Sequence, residues 1–269
     1  MKIIRTPWKD FFIDLVSKSR NSIKIASPFV KSNMCDLLIN TKSKNTKIEL
    51  ITSFKLINLY SGSIDLEGLE NIVDSRGVVK NFPPLHAKIY LFDNTKAIIT
   101  SSNLTDGGLL NNFEYGIYLT EKELIHEIVS DFEYISKSEK TGLIGKEEIS
   151  TVKQILKNLP KRETLKLPKT SNEKKELIED TIGITKESLN SIVSSLKGWK
   201  AEIFKCLNEI QSQVFTLNDV YRFEERLKKI YPENRNIKDK IRQQLQYLRD
   251  LGLIEFLGHG KYRKLWILT

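Results

Sequence analysis

The chain has 269 residues, 40% hydrophobic and 29% charged, with a formal net charge of +9, which allows one large or two modest globular domains and excludes a disordered or fibrous chain. No apolar run reaches the roughly 18 residues of a membrane helix, and the isolated Cys35 and Cys206, with three His in all, exclude a disulfide framework and a structural zinc site. The N-terminus carries Asp10 and no apolar core of a secretory signal, so we expect reduced thiols, a cytoplasmic location, no membrane partner, and neither metal nor other cofactor.

Apolar residues at Trp8, Phe11, Phe12, Leu15 and Val16 predict a helix over 6–19, with Thr6-Pro7 at its N-cap and first position. Alternation predicts strands at 22–26, 47–53 and 78–81, with helices at 33–40 and 65–74. Residues 85–92 read as a strand with His86, Lys88 and Tyr90 on one face and Ala87, Ile89 and Leu91 on the other. Asp93-Asn94 supplies a turn, 96–100 returns, 113–120 is another strand, and 121–136 is a helix with Leu124, Ile128, Phe132 and Ile135 as its stripe. Strands alternating with helices predict an α/β sandwich with a mixed sheet over residues 1–136.

The hairpin at 85–103 carries the chemistry. An imidazole and an ammonium sit one pleat repeat apart, and Ser101 and Asn103 emerge near the same end. A nucleophile or proton carrier, a fixed cation and an amide donor suit a transferring phosphoryl group, whose oxygens need cationic and hydrogen-bonding clamps. His86-x-Lys88-x4-Asp93, followed by Ser101, Asn103 and then Glu114, resembles the HxKxxxxD signature of the phospholipase D superfamily, with Thr100 where that family has Gly. The resemblance implies a phospholipase D-type fold and two His-Lys motifs facing one another. This chain has one complete copy. His259-Gly260-Lys261 is followed by Trp266 where an Asp belongs, and His126 belongs to a helix surface. The second motif is therefore expected from a second subunit, in a homodimer sharing one active site. There one His86 is the nucleophile and the other the general acid and base. Lys88, Ser101 and Asn103 clamp the phosphoryl oxygens, and Asp93 and Glu114 orient the imidazoles.

Residues 137–196 change character. They are rich in Lys and Glu, with Gly142 and Gly145 early and Pro160 and Pro168 bracketing a short stretch. We expect a helical linker, with helices near 174–179 and 186–196. Residues 196–269 hold fifteen Lys and Arg against nine Asp and Glu, so positive charge concentrates at this end and favours a polyanionic partner. Helices are predicted at 199–210, from the Thr216 cap to 230, and at 237–251. Strands at 253–257 and 261–268 are joined by Gly258-His259-Gly260. Three helices and a β-hairpin over 197–269 make a winged helix. Its segment IRQQLQYLRDLGLIEFLG-x-G-x-YR resembles the C-terminal winged helix of a Dam-methylation-dependent restriction endonuclease, which implies duplex DNA as partner. Asn236, Lys238, Asp239, Arg242 and Gln243 at the start of the third helix are candidates for base contact, with Arg235 just before it among the DNA-binding candidates. Lys240, His259, Lys261 and Arg263 are candidates for phosphates and the wing. Tyr262 and Trp266 are candidates to meet a methyl group.

These readings point to a type II-like restriction endonuclease that cuts duplex DNA through a covalent phosphohistidine without metal. The alternatives are an N6-methyladenine-dependent enzyme of the same mechanism, a lipid or nucleotide phosphodiesterase, and a DNA-binding regulator. A cognate methyltransferase is left open as a partner.

Overall fold

The structure, a computed structural model, describes residues 1–159 and 181–268. Two compact units emerge: Met1–Phe54 with Ser61–Lys146, and Lys55–Tyr60 with Glu147–Thr269. The first unit runs β1 (Lys2–Arg5), α1 (Lys9–Lys18), β2 (Ser22–Ala26), α2 (Ser32–Thr41) and β3 (Lys47–Thr52). After α3 (Leu56–Tyr60), which belongs to the second unit, it resumes with α4 (Leu66–Asp74), β4 (Val78–Asn81), β5 (Ile89–Phe92), β6 (Lys96–Thr100), β7 (Tyr115–Leu119), α5 (Lys122–Lys137) and β8 (Gly142–Ile144).

Eight strands form one mixed sheet in the order β1-β7-β6-β5-β2-β3-β4-β8. The pairs β2–β3 and β3–β4 are parallel, each joined by a helical crossover, and the remaining pairs are antiparallel. Strand alternation sets the two faces. On β5, Tyr90 is fully buried against the rings of Trp8 and Phe12 on the α1 side. Leu91 joins Ala26, Ile51, Ala97 and Leu119 in a core closed by Ile125 and Phe132 of α5. This is the predicted α/β sandwich.

Several boundaries differ from the sequence reading. α1 opens at Lys9 because the Thr6 hydroxyl is engaged elsewhere, donating to the Asn112 carbonyl and accepting from Glu114 N–H at 3.0 Å. β5 opens at Ile89 rather than 85. Leu85 N–H bonds back to the Phe82 carbonyl at 3.0 Å, and the Lys88 carbonyl takes a bond from Thr100 N–H at 3.2 Å. His86 therefore lies just before the strand, outside the sheet. The expected linker also contributes to both units: β8 pairs with β4 as the eighth strand, and most of α6 (Lys146–Asn158) belongs to the second unit. Pro160, Pro168 and the helix expected at 174–179 fall outside the described residues.

The second unit continues with β9 (Ile182–Ile184), α7 (Lys186–Ser195), α8 (Trp199–Glu209), β10 (Val214–Thr216), α9 (Leu217–Tyr221), α10 (Glu224–Ile230), α11 (Ile237–Asp250), β11 (Ile254–Gly258), β12 (Lys261–Lys264) and β13 (Trp266–Leu268). Thr216 and Asp219 form a reciprocal capping box at the start of α9. The helix predicted to run to 230 is broken at Arg222-Phe223 into α9 and α10. α11 buries Ile237, Ile241, Leu245 and Leu248, the 3.6-residue stripe of an amphipathic helix. β10, β12 and β11 make the three-stranded sheet of a winged helix, and Gly258, His259 and Gly260 all have positive φ at the wing tip. The predicted last strand is interrupted at Leu265. Its N–H bonds to the Leu253 carbonyl and its carbonyl accepts from Ile182 N–H, both at 3.0 Å, so β13 leaves the wing to pair in parallel with β9. Leu56 of α3 packs into this unit through an N–H bond to the Gly252 carbonyl at 3.1 Å.

Candidate active site

The site lies at one end of the strands of the large sheet, beyond the carboxyl ends of the parallel strands, where α/β folds commonly bind ligands. Strand pairing explains the grouping. Thr100 at the end of β6 is in register with Gly116 of β7, and Ser101 N–H continues the ladder to the Tyr115 carbonyl at 3.0 Å. Residues that follow β6, precede β7 and precede β5 therefore converge. Lys88, Ser101, Asn103 and Glu114 are gathered there, with His86 two residues before Lys88.

The Ser101 hydroxyl donates to a Glu114 carboxylate oxygen and accepts from Tyr115 N–H at 3.1 Å. The other Glu114 oxygen accepts from Asn112 Nδ2 at 3.2 Å. Lys88 Nζ bonds the His86 carbonyl at 2.8 Å. Burial holds the Lys88 ammonium below the usual lysine range, and the negative charge of Glu114 works against that fall. Asn103 Oδ1 accepts from Phe29 N–H at 3.4 Å, leaving its NH2 group without an acceptor among the described residues. The His86 imidazole is exposed and has no hydrogen-bond partner among the described residues. A free ring next to a desolvated ammonium and an amide donor can attack or protonate an anionic phosphoryl group while its oxygens are held. Among the described residues, no three His, Cys, Asp and Glu side chains group as metal ligands.

Asp93 corrects the sequence reading. It sits at the opposite end of β5, with φ +54 in the turn to β6. An extended chain puts it roughly 20 Å from His86. Its carboxylate accepts from the backbone N–H groups of Arg20, Asn21 and Ser22 at 2.7–2.9 Å. Burial raises the Asp93 pKa, but those bonds, with Lys96, hold it below the usual carboxylate value. Asp93 thus ties the β5–β6 turn to the start of β2 and cannot orient an imidazole of its own subunit.

Sequence reasoning missed the supports of the loop that carries Asn103. Trp8 Nε1 donates to Ser102 Oγ and to the Gly108 carbonyl, both at 3.1 Å, and Tyr90 OH donates to the Ser102 carbonyl at 2.9 Å. Gly108, in a π-helical turn at Gly107–Asn111, lies so close to Asn103 that a Cβ there would meet the Asn103 carbonyl oxygen at 2.2 Å. The paired Gly107-Gly108 after Asp106 was the available signal. His126 is exposed on α5, and His259 is exposed at the wing tip.

In the second unit, Arg235, Asn236, Lys238, Asp239, Arg242 and Gln243 are exposed at or near the start of α11. Arg242 donates to Tyr221 OH at 2.9 Å and pairs with Asp239, and Lys240 Nζ reaches Gln243 Oε1 at 2.7 Å. Lys261 is exposed beside His259. Arg263 is withdrawn from any phosphate-facing role: the buried Glu255 takes its Nε at 2.9 Å and its Nη2 at 2.6 Å across the β11–β12 pair. Tyr262 is buried between Phe215 and Phe256, and Trp266 is buried with its Nε1 on Asn208 at 2.9 Å, so neither is available to meet a methyl group.

Comparison with known proteins follows the same division. A curated protein of Streptococcus mutans serotype c, described as uncharacterized, is 22% identical over 150 residues, covering 53% of this chain and 32% of that protein. The chain thus spans about a third of that relative's length. Among solved structures, Nuc, a phospholipase D family member from Salmonella typhimurium, aligns with a TM-score of 0.47 at 12% identity over 54% of this chain and 97% of that one. NucT from Helicobacter pylori aligns with a TM-score of 0.43 at 17% identity over the same shares, 54% and 97%. Residues 12–136 match the family model described as cardiolipin synthase, PLD-like domain, and residues 195–264 the model of the Dam-replacing HTH domain. Residues 12–136 are thus similar to a phospholipase D-like domain and residues 195–264 to a Dam-replacing helix-turn-helix domain.

Proposed function

We propose that the protein is a metal-independent endodeoxyribonuclease of the restriction type, acting on duplex DNA as a homodimer with one shared active site. The observation that carries this reading is the unpartnered, exposed His86 beside Lys88, Asn103 and the Ser101–Glu114 pair, with the other two histidines on α5 and the wing. Two-step phosphoryl transfer through a histidine needs a second proton carrier, and a second copy of the chain supplies one.

A row of exposed isoleucines supports such a contact. Ile3, Ile117 and Ile99 are in register across β1, β7 and β6, and are 49%, 36% and 37% exposed. They continue the face that α5 covers farther along the sheet and lie next to the site. An apolar row of this kind favours a protein partner.

In the first step a neutral His86 nitrogen attacks phosphorus, and the bond to the 3′ oxygen breaks. The imidazolium of the second copy's His86 gives that oxygen its proton. In the second step the same ring, now neutral, takes a proton from water, which attacks the phosphohistidine and releases a 5′-phosphate and His86. Lys88 and Asn103 hold the equatorial oxygens, and Glu114 holds Ser101 in place. The winged helix gives the enzyme a DNA target, which favours nuclease over lipase or small-molecule phosphodiesterase.

The test is digestion of genomic DNA in EDTA, with sequencing of the fragment ends. Discrete sites with 5′-phosphate ends, lost in His86→Ala, are expected. Cleavage that persists in His86→Ala or requires a divalent ion would sink the proposal. Matched plasmids from adenine-methylating and non-methylating hosts decide methyl dependence, and phosphatidylcholine assayed in parallel decides the lipase alternative.

A further inference from the structure

Next to Asn103 the first unit holds an open depression of about 580 Å³ whose lining includes Phe29, Asn33, Asn103, Asp106 and Asn112. We infer that it is a nucleoside subsite, taking the base that adjoins the scissile phosphate, with the Phe29 ring as its stacking platform. The inference rests on the phosphodiesterase reading of the neighbouring site.

Phe29 is fixed by its backbone on both sides. Its N–H bonds Asn103 Oδ1 at 3.4 Å, and its carbonyl accepts from Ser27 Oγ at 2.8 Å, while the residue stays 37% exposed at the rim. A backbone held by two hydrogen bonds and carrying an exposed aromatic residue, one hydrogen bond from the amide assigned to the phosphate, suits a planar group attached to that phosphate.

The polar lining argues for an uncharged ligand. Lys31 is paired with Asp65 at 2.9 Å, and Lys9 lies 3.8 Å from Asp106, so charge in the depression is balanced. A second phosphate would meet the carboxylates of Asp65 and Asp106, whereas a base edge with alternating donors and acceptors meets amides and carboxylates in kind. Asn33 Nδ2 is already directed to Asp106, and Asn112 Nδ2 to Glu114, so both amides present their oxygens with fixed orientation. Fixed acceptors beside an aromatic face are what reading an unstacked base requires. The cut nucleotide would then be drawn out of the duplex stack.

The test avoids any need to know the recognition site. Thymidine 3′- and 5′-(p-nitrophenyl phosphate) are compared with methyl p-nitrophenyl phosphate, all three releasing p-nitrophenolate. At least one nucleoside ester should show a kcat/KM about tenfold or more above the methyl ester, in line with base–aromatic stacking. Phe29→Ala should bring that ratio towards one, and Phe29→Tyr should restore it. A wild-type ratio near one, or a ratio that Phe29→Ala leaves intact, overturns the subsite while leaving the phosphodiesterase reading standing. If none of the esters is turned over, it is the phosphodiesterase reading that falls. Titration calorimetry then decides the subsite separately: thymidine 5′-monophosphate should bind about tenfold more tightly than inorganic phosphate, and equal affinities reject it.

Discussion

Gly108→Ala tests the architecture that positions Asn103. The added methyl would sit 2.2 Å from the Asn103 carbonyl oxygen and 2.8 Å from its nitrogen, both backbone atoms that cannot rotate away. Bringing the closer contact out to 3.0 Å, below which real contacts are essentially unknown, moves the Asn103 backbone by about 0.8 Å. The Gly108 carbonyl is also pinned by Trp8 Nε1 at 3.1 Å, so strain falls on Asn103 rather than dispersing into the π-helical turn. Displacements near 1 Å at a reacting group lower rates by about 100-fold, and overpacking of this sort destabilises by about 1–3 kcal/mol. We expect Gly108→Ala to remain folded, with kcat down about 100-fold and KM for DNA little changed. Single-turnover cleavage at saturating DNA gives the rate, and denaturant melts followed by circular dichroism give the stability. Wild-type kcat in the variant would mean that the placement of the Asn103 amide does not matter.

Three further outcomes follow from the same geometry. Lys88 must be protonated to hold a phosphoryl oxygen, and burial lowers its pKa from the ordinary 10.5; activity should therefore fall on an alkaline limb below that value, and Lys88→Arg should remove the limb from the pH–rate profile even if the rate drops. Asp93→Asn should destabilise the fold by about 1–2 kcal/mol through the loss of charge-assisted bonds while sparing kcat. Because the folded-state pKa of Asp93 is depressed, this contribution is present above its unfolded value near 3.8 and lost as pH falls through the folded value, so the melting difference from wild type should vanish in strong acid; a variant that melts normally but has lost catalysis would restore Asp93 to the site. Lys261→Ala should reduce the salt slope of log K for DNA binding by about 1, whereas Arg263→Ala should leave that slope alone and lower the melting temperature, as filter binding across a salt series and thermal melts would reveal.

The grouping of the candidate site was legible because spacing alone carries it. His86, Lys88, Ser101 and Asn103 keep their register whatever surrounds them, and the two-residue alternation correctly put Tyr90 and Leu91 on opposite faces of the sheet. Thr100, the departure from the family pattern, is explained only in three dimensions. Its register partner is Gly116, where a Cβ would lie 2.6 Å from Thr100 Cβ, so the side chain gained on β6 is accommodated by one absent on β7. Asp93 was legible as a turn residue but not as a structural clasp. Its partners are the N–H groups of residues 20–22, some 70 positions away in the chain, and no local pattern reports them. The same holds for Trp8, which read as part of an apolar helix stripe, and for Tyr90, which read only as sharing a strand face with His86 and Lys88; both direct their polar atoms at the Asn103 loop. In the winged helix the α11 stripe and the Thr216 cap were local signals and were readable. The break at Leu265 depends on β9, far away in sequence, and Glu255 shows why a charge count could not tell Arg263 from Lys261.

In the proposed dimer, two chains contribute one His86 each to a single site. Wild-type and His86→Ala subunits carrying different affinity tags can be co-expressed, and the heterodimer isolated and assayed on plasmid DNA in EDTA. We predict that the heterodimer completes no turnover, since one ring cannot serve as both nucleophile and leaving-group acid. A heterodimer with half the wild-type turnover would mean that each subunit cuts alone, and would contradict the shared site.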